Sequence, residues 1–205
     1  MIEIKGISKA FGDKKIFEDY SLQIKDGEFV VFAGESGCGK TTLLNMIGGL
    51  EKADQGEILI DGRNVFSRKG RRQFYAEKVG FLFQNFALVE SKSVRDNLEF
   101  IQKSARSGVS LEEALEEVGL KNEAKTPVFQ LSGGEQQRVA LARLIFKKCD
   151  VILADEPTGS LDPENANRIL SLLRKLQERG KTVILVTHDT SIIKNAPRVE
   201  YLKKH

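Results

Sequence analysis

The first third of the chain alternates between apolar and polar positions. Ile2 to Ile7 and Tyr20 to Ile24 follow a two-residue period, the pairs Asp26-Gly27 and Asp61-Gly62 mark turns, and Glu57 to Ile60 resumes the alternation. A period of two puts one face of a strand inward and the other in water, so these segments predict β-structure. Phe29 to Ala33 is instead wholly apolar, as a strand covered on both faces would be. Beyond Gly39 the period lengthens. Thr41 to Leu50 predicts a short helix, and helical signals dominate from about residue 85 to 150.

One helix in that stretch is marked at both ends. Ser110 and Glu113 form a capping box, Leu111, Ala114, Leu115 and Val118 make its apolar stripe, and Gly119 stops it. The last third returns to alternating strand and helix. Val151 to Ala154 and Thr182 to Thr187 are apolar strands. Between them Asp162 caps a helix with Pro163 in its first turn, Ile169, Leu170, Leu173 and Leu176 as its buried face, and Gly180 at its end. This is a βαβ unit of a parallel sheet.

Composition narrows the classes. With 205 residues the chain suits one domain with a buried core, and 32 basic against 29 acidic residues is too even a balance to imply nucleic acid. The basic run Arg68-Lys69-Gly70-Arg71-Arg72 reads as a solvated turn. No apolar stretch approaches the roughly 18 residues of a membrane span. The start, Met1 to Lys5, lacks the basic and apolar regions of a secretory signal, so a cytoplasmic location is expected. Cys38 and Cys149 make neither a disulfide framework nor a zinc site, and both are expected to be reduced.

The chemistry is concentrated at three places. Gly34-Glu35-Ser36-Gly37-Cys38-Gly39-Lys40-Thr41, with Thr42 beyond it, fits the P-loop pattern and lies between an apolar strand and a helix. Glycines let backbone N–H groups turn toward phosphate oxygens, and the helix N-terminus faces the same anions. Lys40 would reach the β and γ phosphates of ATP and Thr41 would ligate Mg2+. Asp155 and Glu156 directly follow a buried strand, where an open α/β sheet places its ligand site. Asp155 would hold magnesium and Glu156 would orient or deprotonate the attacking water. Leu131-Ser132-Gly133-Gly134-Glu135-Gln136-Gln137-Arg138 offers a second anion cradle at a helix start. A single ATP does not need two.

On these motifs and their order the sequence resembles, over nearly its whole length, the nucleotide-binding subunit of ATP-binding cassette (ABC) transporters, with Ser132, Gly133 and Gly134 in the signature motif. The resemblance implies an α/β fold: a P-loop NTPase core with a mainly parallel sheet, an N-terminal antiparallel β subdomain and a helical subdomain. It implies a single domain, 1–205, in which 1–84 and 150–205 form the β subdomain and core and about 85–149 the helical subdomain. Gln84 matches the Q-loop glutamine that senses magnesium and contacts the permease. Ser160-Leu161-Asp162 resembles the D-loop, His188 matches the switch histidine at the γ-phosphate, and Phe11 falls where an aromatic stacks on adenine.

The implied activity is ATP hydrolysis coupled to transport. Two copies would dimerise head to tail, each ATP lying between one P-loop and the other copy's signature, and a separate membrane permease would hold the pair at the inner face of the membrane. The run Asp155 to Asp162 is similar to the branch of lipoprotein-release, macrolide-export and antimicrobial-peptide or bacteriocin-type exporters. That points to export of a peptide, antibiotic or lipid-linked cargo. The stretch from Gln84 to Leu131 is somewhat shorter than in that branch, a departure at the expected permease-docking surface, and the end at His205 is expected to argue against sugar-importer types with a C-terminal extension. Mechanotransmission through a membrane partner without transport remains the alternative. A DNA-maintenance ATPase of the same superfamily is a further one, set back by the lack of a long coiled coil.

Overall fold

The computed structural model describes residues 1–67, 71–159 and 161–204. Strands β1 (Ile2–Phe11) and β2 (Lys14–Ile24) pair antiparallel with Ile2 opposite Ile24, and β4 (Gln55–Ile60) flanks β1 with Ile2 opposite Ile60. The two-residue β5 (Arg63–Asn64) completes a sheet of order β2-β1-β4-β5. The second sheet contains β3 (Phe29–Ala33), β6 (Val79–Leu82), β7 (Val151–Asp155), β8 (Thr182–Val186) and β9 (Arg198–Tyr201), in the order β6-β7-β8-β3-β9, with every pair parallel.

The parallel strands explain their own apolar runs. Val30, Phe32, Val151, Leu153, Ile184 and Val186 pack toward helix α1 (Lys40–Ile47) and the antiparallel sheet. Their neighbours Val31, Ile152, Ala154, Val183 and Leu185 pack on the opposite side against helices α3 (Val94–Glu99), α4 (Leu111–Glu117), α5 (Gly133–Phe146) and α6 (Pro163–Glu178). Both faces are covered, so no position on β3 or β8 is polar and exposed. Helix α5 sits deepest: Val139, Ala140, Leu141 and Ala142 are wholly buried in succession. A helix apolar around its circumference is a core helix, not a surface one. Helix α6 shows the contrary pattern, one buried face and one in water.

Several expectations are corrected. Strand β2 begins at Lys14, six residues before Tyr20, because the whole Lys14–Ile24 segment follows β1 around a tight turn. Helix α1 stops at Ile47, three residues before Leu50, since Gly48 and Gly49 leave the helix and Gly49 takes a φ of +70°. On α6 the buried set is Ile169, Leu172, Leu173 and Leu176; Leu170 is half-buried. Of the basic run, 68–70 lie outside the described residues, and Arg71 opens a helix, α2 (Arg71–Glu77), in place of a turn. Helix α7 (Thr190–Lys194) and the edge strand β9 carried no clear periodic signal, being five and four residues long. Among the described residues no helix is long and apolar enough to cross a membrane.

Candidate functional site

All five parallel strands point the same way, so the segments that leave their carboxyl ends gather along one edge. From β3 comes the loop 34–39, from β7 Asp155 and Glu156, from β8 Thr187 and His188, and from β6 Gln84. An open cavity of about 470 Å3 lies there, lined by Phe11, Lys14, Ile16, Ser36, Gly37, Gly39, Lys40, Thr41, Thr42, Glu156 and Val186.

The loop owes its path to glycine. Gly39 precedes α1 at a φ of +99°, and a Cβ there would collide with the side chains of Ile16 and Phe17. Gly34, at +148°, would place a Cβ 2.5 Å from the Leu202 carbonyl. Helix α1 has no side-chain cap, which leaves its first N–H groups free to face the cavity. Lys40 folds back, its Nζ donating to the carbonyls of Gly34 at 2.7 Å and Glu35 at 2.8 Å. Cys38 is buried beneath the loop with its Sγ 3.9 Å from that ammonium, so its side chain does not line the cavity.

The carboxylates meet their partners across the sheet edge. Thr41 Oγ1 donates to Asp155 Oδ1 at 3.1 Å. Burial pushes the Asp155 carboxyl above its ordinary value, with Glu156 adding to the shift and Thr41 and Lys40 opposing it. Glu156 adopts a φ of +45°, a left-handed conformation that a non-glycine residue reaches only at a cost. Its N–H donates to the Val186 carbonyl at 3.0 Å. Its Oε1 lies 2.8 Å from Nδ1 of His188, whose side chain is 78% exposed while that of Glu156 is 16% exposed. Gln84 is exposed, with its amide near the Glu156–Gly159 turn: a Cβ on Gly159 would stand 3.8 Å from Gln84 Nε2.

Phe11 is half exposed at the rim, so it is not a core residue, and the Lys9 ammonium lies 4.9 Å from its ring centre. Lys14, Ile16 and Val186 also line the cavity. They escaped the sequence reading, although a lysine directly after the Phe11-Gly12-Asp13 turn was a usable signal for an anion site.

Ser132, Gly133, Gly134 and Asp162 do not line this cavity. Ser132 caps α5, accepting from Glu135 N and donating to Glu135 Oε2 at 2.7 Å. The ends of α5 and α6 are joined: Arg138 donates to Asn165 Oδ1, and Asn165 donates through N and Nδ2 to the Asp162 carboxylate. Ser160 lies outside the described residues.

Residues 17–159 match the family model described as ABC transporter. The chain belongs to the ABC transporter family. The cassette is 39% identical over 99% of its length to the macrolide export ATP-binding/permease protein MacB of Wolinella succinogenes, of which it spans 33%. It is 41% identical over 95% of its length to the methionine import ATP-binding protein MetN of Clostridium tetani, covering 63% of that protein. It is also 37% identical to the putative hemin import ATP-binding protein HrtA of Staphylococcus epidermidis, with 97% of the cassette and 95% of that relative aligned. Among solved structures, a dimeric ATP-binding cassette in a post-hydrolysis state bound to ADP and Pi superposes with a TM-score of 0.85 at 38% identity, over 99% of this cassette and 94% of that chain. The cassette therefore has the P-loop NTPase core, antiparallel β subdomain and helical subdomain of that family.

Proposed function

We propose that this cassette binds Mg-ATP in the cavity bounded by Phe11, the 34–42 loop and Glu156, and hydrolyses it to drive a membrane permease. The observation that carries the reading is the Glu156–His188 pair, 2.8 Å apart, set beside the uncapped α1 terminus and Lys40. A general base must be held at the reacting phosphoryl group, and the imidazole in contact with Glu156 holds its carboxylate in place.

The donor set fits nucleotide and magnesium. Free N–H groups, a lysine and a half-exposed aromatic ring are what phosphates and a base require. A hydroxyl and a carboxylate 3.1 Å apart offer the hard oxygen ligands that magnesium prefers, and a divalent ion would relieve the cost of ionising the buried Asp155. Magnesium held by Thr41 and Asp155 would supply positive charge that neutralises the phosphates. Lys40 exchanges its two loop carbonyls for phosphate oxygens. Phe11 stacks on the base, Glu156 takes a proton from water as the water oxygen bonds to the terminal phosphorus and ADP departs, and His188 holds Glu156 in place. Gln84 stands between this centre and the permease surface.

Ser132 to Gly134 and Asp162 do not line their own cavity, which supports a head-to-tail pair in which each copy completes the other's site; the dimeric solved relative supports the same reading. Residues 1–84 and 150–205 serve as the nucleotide core, and 85–149 as the helical part that answers to the permease at the inner membrane face. The macrolide-export relatives favour an exporter, while the methionine and hemin relatives are named as importers. Uptake against efflux in vesicles with the cognate permease decides direction. The cassette itself is tested by Glu156→Gln. Hydrolysis should fall by roughly 100-fold or more, while Mg-ATP accumulates a dimer resolved by size-exclusion chromatography. Undiminished hydrolysis would refute the assignment.

A further inference from the structure

Helix α5 is apolar along its buried length except for a few side chains, and Gln137 is the most deeply buried of them at 1% exposed. Its Nε2 donates to the Pro157 carbonyl at 2.7 Å, while its Oε1 has no partner. An amide buried with its acceptor empty loses at least as much as one neutral hydrogen bond returns. Stability alone therefore does not favour glutamine over an apolar residue at this place. The bond is instead informative for where it lands.

Pro157 directly follows Glu156, the residue held at a φ of +45°. The turn is tied at three points: Glu156 N to the Val186 carbonyl, Gly159 N to the Glu156 carbonyl, and Gln137 Nε2 to the Pro157 carbonyl. The first two belong to the backbone of the sheet and of the turn itself. The third is a side-chain tie to the backbone of the turn, and it comes from the helix that begins at Ser132. Six residues further along the same helix, Arg143 donates to the carbonyls of Phe86 and Ala87, which hold φ values of +60° and +47° just after Gln84.

We infer that Gln137 is a positioning residue for Glu156: through the Pro157 carbonyl it fixes the strained turn so that the carboxylate faces both His188 and the cavity. This rests on the reading of Glu156 as the group that activates water. Misplacing such a group by about 1 Å costs up to 100-fold in rate without touching substrate binding. A residue that acts only through Glu156 also loses its effect once Glu156 is disabled.

The test is a double-mutant cycle on the purified cassette, with kcat, KM and Mg-ATP affinity measured for Gln137→Met, Glu156→Gln and the double variant. Methionine matches the length of glutamine and adapts to its surroundings, but has no donor. Gln137→Met should lower kcat by roughly 10- to 100-fold and leave KM and Mg-ATP affinity within about twofold. Added to Glu156→Gln, it should lower the residual single-turnover rate no further. Gln137→Leu repeats the measurement with a different side-chain shape, and its Mg-ATP affinity reports that the fold is intact. Wild-type kcat in Gln137→Met, with Glu156→Gln inactive, overturns this inference alone. An equal fall in both backgrounds assigns Gln137 a structural role and overturns it too. Wild-type turnover by Glu156→Gln removes the inference and the reading beneath it together.

Discussion

Two helices in this cassette begin at glycine-rich sequences suited to anions, and their N-termini are finished in opposite ways. Helix α1 starts from Gly39 with no side-chain cap, and Lys40, its first residue, is parked on two loop carbonyls. Helix α5 starts from Ser132 with a complete capping box, and the Glu135 carboxylate occupies the mouth of the terminus through both Ser132 N and Oγ. The first end has donors waiting and a charge to spend. The second has the N–H groups of Ser132 and Glu135 already engaged and presents a negative group, which disfavours an anion arriving alone. One cradle can recruit an anion alone. In the proposed head-to-tail pair, the other closes over one that a second copy delivers.

The largest effect that would break this comparison comes from Lys40→Ala. It removes the cation that opens the uncapped terminus, and water replaces its two hydrogen bonds to the Gly34 and Glu35 carbonyls. Mg-ATP binding and hydrolysis should drop by about 100-fold or more, with little change in melting temperature. Retained hydrolysis would mean that the free N–H groups suffice without the lysine.

Next in size, Ser132→Arg should leave Mg-ATP binding to the monomer within about twofold, since Ser132 is not part of its cavity. ATP-dependent dimerisation should disappear, read by size-exclusion chromatography or light scattering. If monomer binding falls as steeply as dimerisation, the two cradles serve one chain and the contrast fails.

The same contrast explains what was legible in the sequence. The uncapped cradle, its lysine and the following carboxylates are local signals, each sitting at a strand end, and the buried strands Phe29–Ala33 and Val151–Asp155 announced themselves by unbroken apolar runs. The α5 start is locally almost the same as that of α4, since Ser110 with Glu113 and Ser132 with Glu135 form identical boxes; only Gly133 and Gly134 distinguish it. What sequence could not show is long-range. Gln137 reaches Pro157 across 20 residues and Arg143 reaches Phe86 across 57. No periodicity encodes such a tie, because a buried polar residue looks like an interruption of the apolar pattern until its partner is known. Short elements such as α2, α7 and β9, of seven, five and four residues, were lost for a simpler reason, since none shows a capping box and apolar stripe like those that mark α4.

Asp155→Asn sharpens the cavity's side of the comparison. Burial raises the Asp155 carboxyl's titration point in the folded chain above its unfolded value. Between the two values the native state holds more protons than the unfolded state, so stability falls as pH rises through that window and the penalty persists at neutral pH. Asparagine removes it. The variant without nucleotide should therefore melt higher than wild type at pH 7 to 8, and the difference should shrink as pH falls toward the ordinary carboxylate value. Added magnesium and ATP should raise the wild-type melting temperature and barely move that of the variant. A lower melting temperature for Asp155→Asn would mean that its bond to Thr41 outweighs its burial.

The smallest effect separates capping from ligand binding at the two look-alike helices. A serine N-cap replaced by alanine costs typically about 1 kcal/mol, so Ser110→Ala and Ser132→Ala should both lower the melting temperature by a few degrees. In each box the glutamate is held below its usual titration value by bonds from its serine. That stabilisation is present above the ordinary carboxylate value and lost as pH falls through the folded one, so both deficits should fade in acid. Hydrolysis should divide them. Ser110→Ala should turn over ATP as wild type does, whereas Ser132→Ala should also weaken ATP-dependent dimerisation, because there the hydroxyl has a second use once Glu135 is displaced. Equal hydrolysis by both variants would reduce Ser132 to a cap and leave Gly133 and Gly134 as the whole of the second cradle.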